Sequence, residues 1–135
     1  FHANYTYADA TFREGTVRGI SIVGNRVPIS PRHTLNAGLS WAFSSYARAD
    51  VDVHYTGTSA FDADETNTFG REIPAYTVAD FKVSVRRGGW LINTGVRNLF
   101  NEKYFNYGVV TGRPTYSANP AAERTIYVAA QYNFH

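Results

Sequence analysis

Six stretches of the chain alternate apolar and polar side chains with period two, and the connections between them are alternately long and short. In one stretch Leu35, Ala37, Leu39, Trp41 and Phe43 form an apolar face, while Thr34, Asn36, Gly38, Ser40 and Ala42 form a small or polar one. In the next, Ala47, Ala49, Val51, Val53 and Tyr55 face one way and Arg48, Asp50, Asp52, His54 and Thr56 the other, because successive side chains on a strand point to opposite sides. A soluble sandwich alternates in the same way, so the period alone does not choose between a soluble sheet and a membrane wall.

The connections carry more of the choice. Only Ser44, Ser45 and Tyr46 separate Phe43 from Ala47, and only Arg87, Gly88 and Gly89 separate Arg86 from Trp90, each short enough for a tight hairpin. The other three, residues 13–33, 58–75 and 101–122, are rich in Gly, Pro, Asn, Asp, Ser and Thr and are expected to be structureless loops. A compact soluble domain rarely holds three such loops of more than about 15 residues. Outer-membrane barrels, in contrast, place short turns in the periplasm and long loops outside, joined by strands of about 10 residues that are apolar outward and polar inward. The expected fold is therefore all-β, an antiparallel meander of about six strands belonging to a transmembrane β-barrel.

The strands are expected at residues 1–12, 34–43, 47–57, 76–86, 90–98 and 124–134. On the fourth, Thr77, Ala79, Phe81, Val83 and Val85 would face lipid, with Asp80, Lys82, Ser84 and Arg86 inward; on the last, Ile126, Val128, Ala130, Tyr132 and Phe134 would face outward. With the long loops outside, the carboxyl terminus falls in the periplasm. The smallest closed barrels have about eight strands, so the first and last strands here are left as unpaired edges.

Composition agrees. No run of about 18 apolar residues exists for a transmembrane helix, and a mean hydropathy of −0.32 suits a wall whose apolar half is hidden in alternation. Ten Tyr and nine Phe fall largely near strand ends, where interfacial aromatics sit. The absence of Cys excludes disulfide scaffolds and thiolate metal sites. A net charge of +2 with dispersed Lys and Arg gives no footprint for nucleic acid. The chain opens inside a strand-like run with no Met, as part of a longer protein would.

Four ordered segments carry a family resemblance. Val96-Arg97-Asn98-Leu99-Phe100-Asn101-Glu102-Lys103-Tyr104 resembles the V-x-N-L-F-x-x-x-Y segment of TonB-dependent outer-membrane receptors, and Glu123-Arg124 then opens a terminal strand ending Tyr132-Asn133-Phe134, similar to that family's aromatic terminus. Gly24 to His33 resembles its G-x-x-x-P-x-x-P-x-H lead-in to a strand, and Tyr76 with Asp80 its aromatic-x-x-x-Asp strand opening. The motif positions so identified are Asn98, Leu99, Phe100, Tyr104, Arg124 and Phe134. The family usually ends on the aromatic, and His135 departs from that pattern.

The resemblance implies that residues 1–135 are the carboxyl-terminal segment of a barrel of about 22 strands occluded by a plug, with the plug and the remaining strands outside this sequence. It further implies an active transporter importing a scarce solute, most often a ferric siderophore, rather than an enzyme. The implied partners are membrane lipid, TonB acting through the plug, and the barrel-assembly machinery acting on the terminal strand, with no cofactor. An isolated segment would self-associate through its edges.

Three constellations could carry chemistry. Asp50, Asp52 and His54 project from one strand face at about 7 Å spacing. With Arg48, Asp80 and Lys82 they are expected to line the lumen and pair there, although a barrel protease or lipase using Asp50, Asp52 and His54 is an alternative function, and a soluble β-sandwich binding module another. Asp62, Asp64, Glu65 and Asn67 crowd the second long loop without the glycine or distal Glu of a calcium loop, so a solvated acidic loop is expected and no metal site. Arg13, Arg18, Arg26 and Arg113, with Tyr104, Tyr107 and Tyr116, suit an anionic, partly aromatic ligand through bidentate and stacking contacts.

Overall fold

In the structure, a computed structural model describing residues 1–134, the strands are β1 (His2–Tyr7), β2 (Thr16–Val17), β3 (Ile20–Ser21), β4 (His33–Ser44), β5 (Ala47–Thr56), β6 (Ser59–Ala60), β7 (Glu72–Ile73), β8 (Tyr76–Arg87), β9 (Trp90–Arg97), β10 (Phe105–Gly112), β11 (Thr115–Pro120) and β12 (Thr125–Tyr132). Six of them form one antiparallel sheet in the order β1-β4-β5-β8-β9-β12, so the expected meander is present and β1 and β12 are its edges among the described residues. His135 lies outside the described residues.

Two expectations are corrected. The first strand ends at Tyr7 rather than Phe12, and beyond it the chain is held by the Ala8 amide donating to the Arg32 carbonyl (2.9 Å) and a bridge from Thr11 to Arg26. The long connections are not structureless. Each folds into a hairpin or short ladder of its own, β2–β3, β6–β7 and β10–β11, with Gly19, Gly70 and Gly112 at positive φ in or beside the connections that bring the short segments together.

The register places each apolar set in a continuous row. Leu39 sits opposite Val51, Val51 opposite Phe81, Phe81 opposite Val96 and Val96 opposite Ile126. The next row runs Trp41, Ala49, Val83, Thr94, Val128. Among the described residues nothing covers this face. Trp41 is 65% exposed, Ile126 73% and Val128 72%, while the buried apolar residues are Ile22, Ala47, Ala60, Phe61, Ile73 and Ala79, most of them in the long connections. A sandwich would bury such rows under a second sheet. An uncovered apolar face of this extent needs another solvent.

That face has the height of a bilayer. Thr77 is level with Tyr55 at one end of β8, and ten residues on Arg87 is level with Trp90 at the other. At about 3.4 Å per residue and a tilt of about 40°, this spans about 26 Å, against about 25 Å for the apolar band of outer-membrane barrels. Aromatic side chains mark both margins: Tyr5, Tyr7 and Tyr55 at the long-loop end, and Trp41, Phe43, Tyr46, Trp90 and Tyr132 at the short-turn end. Gly88 and Gly89, both at positive φ (55° and 81°), close the β8–β9 hairpin with the backbone a two-residue primed turn demands.

Candidate functional site

The polar rows form the other face. Asp50 is 5% exposed and accepts from Ser40 Oγ (2.6 Å), with Arg48 Nε at 3.1 Å and Lys82 Nζ at 3.5 Å. Asp52 lies 3.5 Å from His2 Nε2 and opposite Asp80, and His54 Nδ1 meets Asn36 Oδ1 at 2.6 Å. Each member of the Asp50, Asp52, His54 series is thus engaged by a different cross-strand partner, and the three do not converge on a common point. Nucleophile, base and orienting group cannot be assembled from them. Among the described residues no cluster of His, Cys, Asp and Glu could hold a metal ion. On the same face Tyr127 lies over Gly95, where a Cβ would stand 2.8 Å from its hydroxyl, and the Arg97 guanidinium sits 5.3 Å from the Tyr127 ring.

Where β9 leaves the sheet, Asn98 takes φ 52° and Asn101 φ 55°, the left-handed backbone that Asn tolerates best after Gly. Asn98 is 4% exposed. Its amide group donates to the carbonyls of Glu102 (2.9 Å) and Ala122 (3.3 Å), and its side-chain oxygen accepts from the Glu102 amide (2.8 Å). Its backbone N–H donates to Asp80 Oδ1 (2.9 Å), and Asn101 Oδ1 accepts from the Arg124 amide (2.8 Å). Tyr104 stacks on Tyr76 with ring centroids 4.2 Å apart. Burial first, then the neighbouring Tyr76 and Asp80, push the Tyr104 hydroxyl pKa up. The two sequence motifs, Tyr76 with Asp80 and Asn98 through Tyr104, are therefore halves of one clasp that fixes where β9 ends and β12 begins.

Beyond the clasp the long connections pack together. Phe61 is 1% exposed, its ring 4.8 Å from Tyr116, 5.3 Å from Phe69 and 6.2 Å from Phe105. Gly108 gives it room: a Cβ there would lie 2.6 Å from Phe61 Cε1. The expectation of a solvated acidic loop is overturned, because Asp64 is 3% exposed. Its carboxylate accepts from the amides of Thr68 (3.0 Å) and Phe69 (3.1 Å) and from Arg113 (3.3 Å), which closes a turn and compensates the buried charge. Asp62 accepts from the Tyr107 hydroxyl (2.7 Å), and that bond, ahead of desolvation, raises the Tyr107 pKa.

The proposed ligand residues divide accordingly. Arg26 is committed to Glu72, the Thr58 carbonyl and, through its backbone, Asn67. Tyr104 belongs to the clasp, Tyr107 to Asp62 and Tyr116 to the Phe61 cluster. Arg13 is exposed apart from the others. Arg18, at the β2–β3 turn, and Arg113, at the β10–β11 turn, come together across an open cleft of about 560 Å³ whose floor includes Ala63, Glu65, Thr66 and Thr68. Phe61, which the sequence does not single out, and Asp64, expected in a solvated loop, support that cleft from behind its lining. The one signal for Phe61 was a large apolar residue inside an acidic run.

The TonB dependent receptor-like β-barrel family matches residues 1–99. The chain belongs to that family. No curated protein sequence matches it. Among solved structures, it is similar to the ferric yersiniabactin uptake receptor FyuA of Yersinia pestis (24% identity, TM-score 0.72, covering 85% of this chain and 18% of that one). It is also similar to the siderophore receptor PiuA of Acinetobacter baumannii (19% identity, TM-score 0.74, 95% and 18%) and to the unliganded ferric citrate transporter FecA (21%, 0.72, 93% and 19%). The chain spans less than a fifth of the length of each of these. In this TonB-dependent receptor segment, the clasp joins a strand opening (Tyr76 to Asp80) to a strand exit (Asn98 to Tyr104), both of them segments that resemble the family.

Proposed function

We propose that the chain is the carboxyl-terminal wall of a Gram-negative outer-membrane receptor that binds a scarce solute on its long loops and imports it when TonB acts on the plug. Family membership and the siderophore and ferric-citrate receptors among the structural relatives support this reading. The observation that carries it is the pairing of an uncovered apolar face of bilayer height with an open cleft at the long-loop end that presents Arg18. Under it, the long loops are extracellular and the carboxyl terminus is periplasmic, where the barrel-assembly machinery would meet β12.

The cargo is an anionic metal chelate, with a ferric siderophore the leading class. Arg18 would contact its negative oxygens, since a guanidinium pairs bidentately with carboxylate oxygens, while Arg113 stays on Asp64 and holds one wall of the cleft. Arg13, Arg26, Tyr104, Tyr107 and Tyr116 would contribute a flanking contact or shape the loops. The receptor performs no bond chemistry in this reading. The test is ligand binding by the full-length receptor on iron-starved cells. Arg18→Ala should weaken uptake of an anionic ferric chelate at least tenfold, about 1.4 kcal/mol, with surface expression unchanged. Uptake unaffected by this variant would remove the cleft from the binding path.

A further inference from the structure

Charge is distributed unevenly between the two ends of the wall. Of the eleven acidic residues only Asp50 belongs to the short-turn end, and its carboxylate is engaged on the lumenal face by Ser40, Arg48 and Lys82. Four cations share that end: Arg48, Lys82, Arg86 and Arg87. Three of them follow the polar rows. Arg87 does not, for it continues the parity of Phe81, Val83 and Val85 and stands opposite Trp90 on the outward face.

Resting on the reading of this face as lipid-facing, we propose that Arg87, Tyr46 and Trp90 form a binding site for the headgroup of a net-anionic phospholipid at the short-turn margin of the membrane. The Arg87 guanidinium lies over the Tyr46 ring, 5.9 Å from its centroid, and Trp90 packs on Tyr132 at 4.9 Å. Tyr46 is 51% and Trp90 48% exposed, so the platform is open to the bilayer. An outward arginine is costly in hydrocarbon but acceptable at headgroup level, where aromatic rings also sit. The ring quadrupole holds the guanidinium flat, and its unused N–H donors then match two phosphate oxygens. Among the described residues no Asp or Glu side chain faces outward at the short-turn end, so the side-chain charge around Arg87 is positive, which favours a lipid carrying net negative charge over a zwitterionic one.

The experiment uses the full-length receptor in nanodiscs of equal phosphatidylglycerol and phosphatidylethanolamine, with the most tightly retained lipid identified by native mass spectrometry. One arginine near an anionic surface gives about fivefold preference, so phosphatidylglycerol should be retained about fivefold over phosphatidylethanolamine. Arg87→Gln should bring the ratio close to one, while Arg71→Gln, exposed in the second long connection at the opposite end, should leave it unchanged. Raising salt to about 1 M, where the Debye length is about 3 Å, should lower the preference of the unaltered protein without any substitution. An equal preference in Arg87→Gln, or none in the unaltered receptor, overturns the site while leaving the membrane wall standing. Failure of the receptor to enter any bilayer overturns both.

Discussion

Phe61 locks the second long connection onto the β10–β11 hairpin, and Phe61→Ala should release it. The side chain is 1% exposed and surrounded by Phe69, Phe105 and Tyr116, so its removal leaves a cavity that the flanking rings fill only in part. Such truncations cost about 3–5 kcal/mol. Two amides report the release directly, because Asp62 N–H donates to the Gly108 carbonyl (2.9 Å) and Val110 N–H to the Asp62 carbonyl (3.0 Å). At about 1.4 kcal/mol per decade, even 3 kcal/mol raises their exchange by about a hundredfold. Gly108→Ala should act through the same contact, since its Cβ would lie 2.6 Å from Phe61 Cε1, at a cost of about 1–3 kcal/mol. The double variant should then be less perturbed than the sum of the two, because removing the ring makes room for the methyl. Hydrogen exchange on the full-length receptor in lipid measures all three. Additive effects, or normal protection of Asp62 and Val110 in Phe61→Ala, would refute the lock.

Val51→Arg on the apolar face should destabilise refolding into lipid by about 2–4 kcal/mol if it lies near the bilayer midplane, while Thr56→Arg on the polar face should cost far less; denaturant titration of the refolded receptor checks both. The Tyr107 hydroxyl, with its pKa raised by Asp62, should stay protonated above its ordinary value of 10.0, so its bond to Asp62 is fully present below that pH and is lost as pH rises through the raised value. Spectrophotometric titration should show Asp62→Asn returning that tyrosine to the ordinary range, and an unchanged titration would contradict the bond. The isolated chain, with β1 and β12 unpaired and a broad apolar face bare, should self-associate or require detergent. Light scattering in detergent-free buffer would contradict this by showing a stable monomer.

The sheet was legible because its determinants are local. A period of two fixes which residues share a face, and Gly88-Gly89 or Ser45-Tyr46 between two such runs leaves little choice but a hairpin. The pairing of Asp50 with Arg48 and Lys82 on the polar face followed from the same parity. The loop hairpins were not legible, since strands as short as Thr16–Val17 or Ser59–Ala60 carry no measurable period. Asp64 reads as one more loop acid until Arg113, 49 residues away, closes over it. Likewise, the motifs at Tyr76 to Asp80 and Asn98 to Tyr104 were each visible, but not that they bond to one another, because nothing local records a contact across 18 residues.

The central claim is that the uncovered apolar rows meet lipid and the polar rows meet water. The chain contains no cysteine, so single cysteines at Leu39, Val51 and Val83 and at Ser40, Thr56 and Ser84 can carry spin labels in an otherwise thiol-free wall. In the full-length receptor reconstituted into vesicles, the first three labels should be relaxed strongly by oxygen, which concentrates in hydrocarbon, and weakly by a water-soluble nickel chelate. The second three should show far less oxygen relaxation than the first. Equal oxygen accessibility on the two faces, or nickel accessibility at Val51 and Val83, would contradict the account.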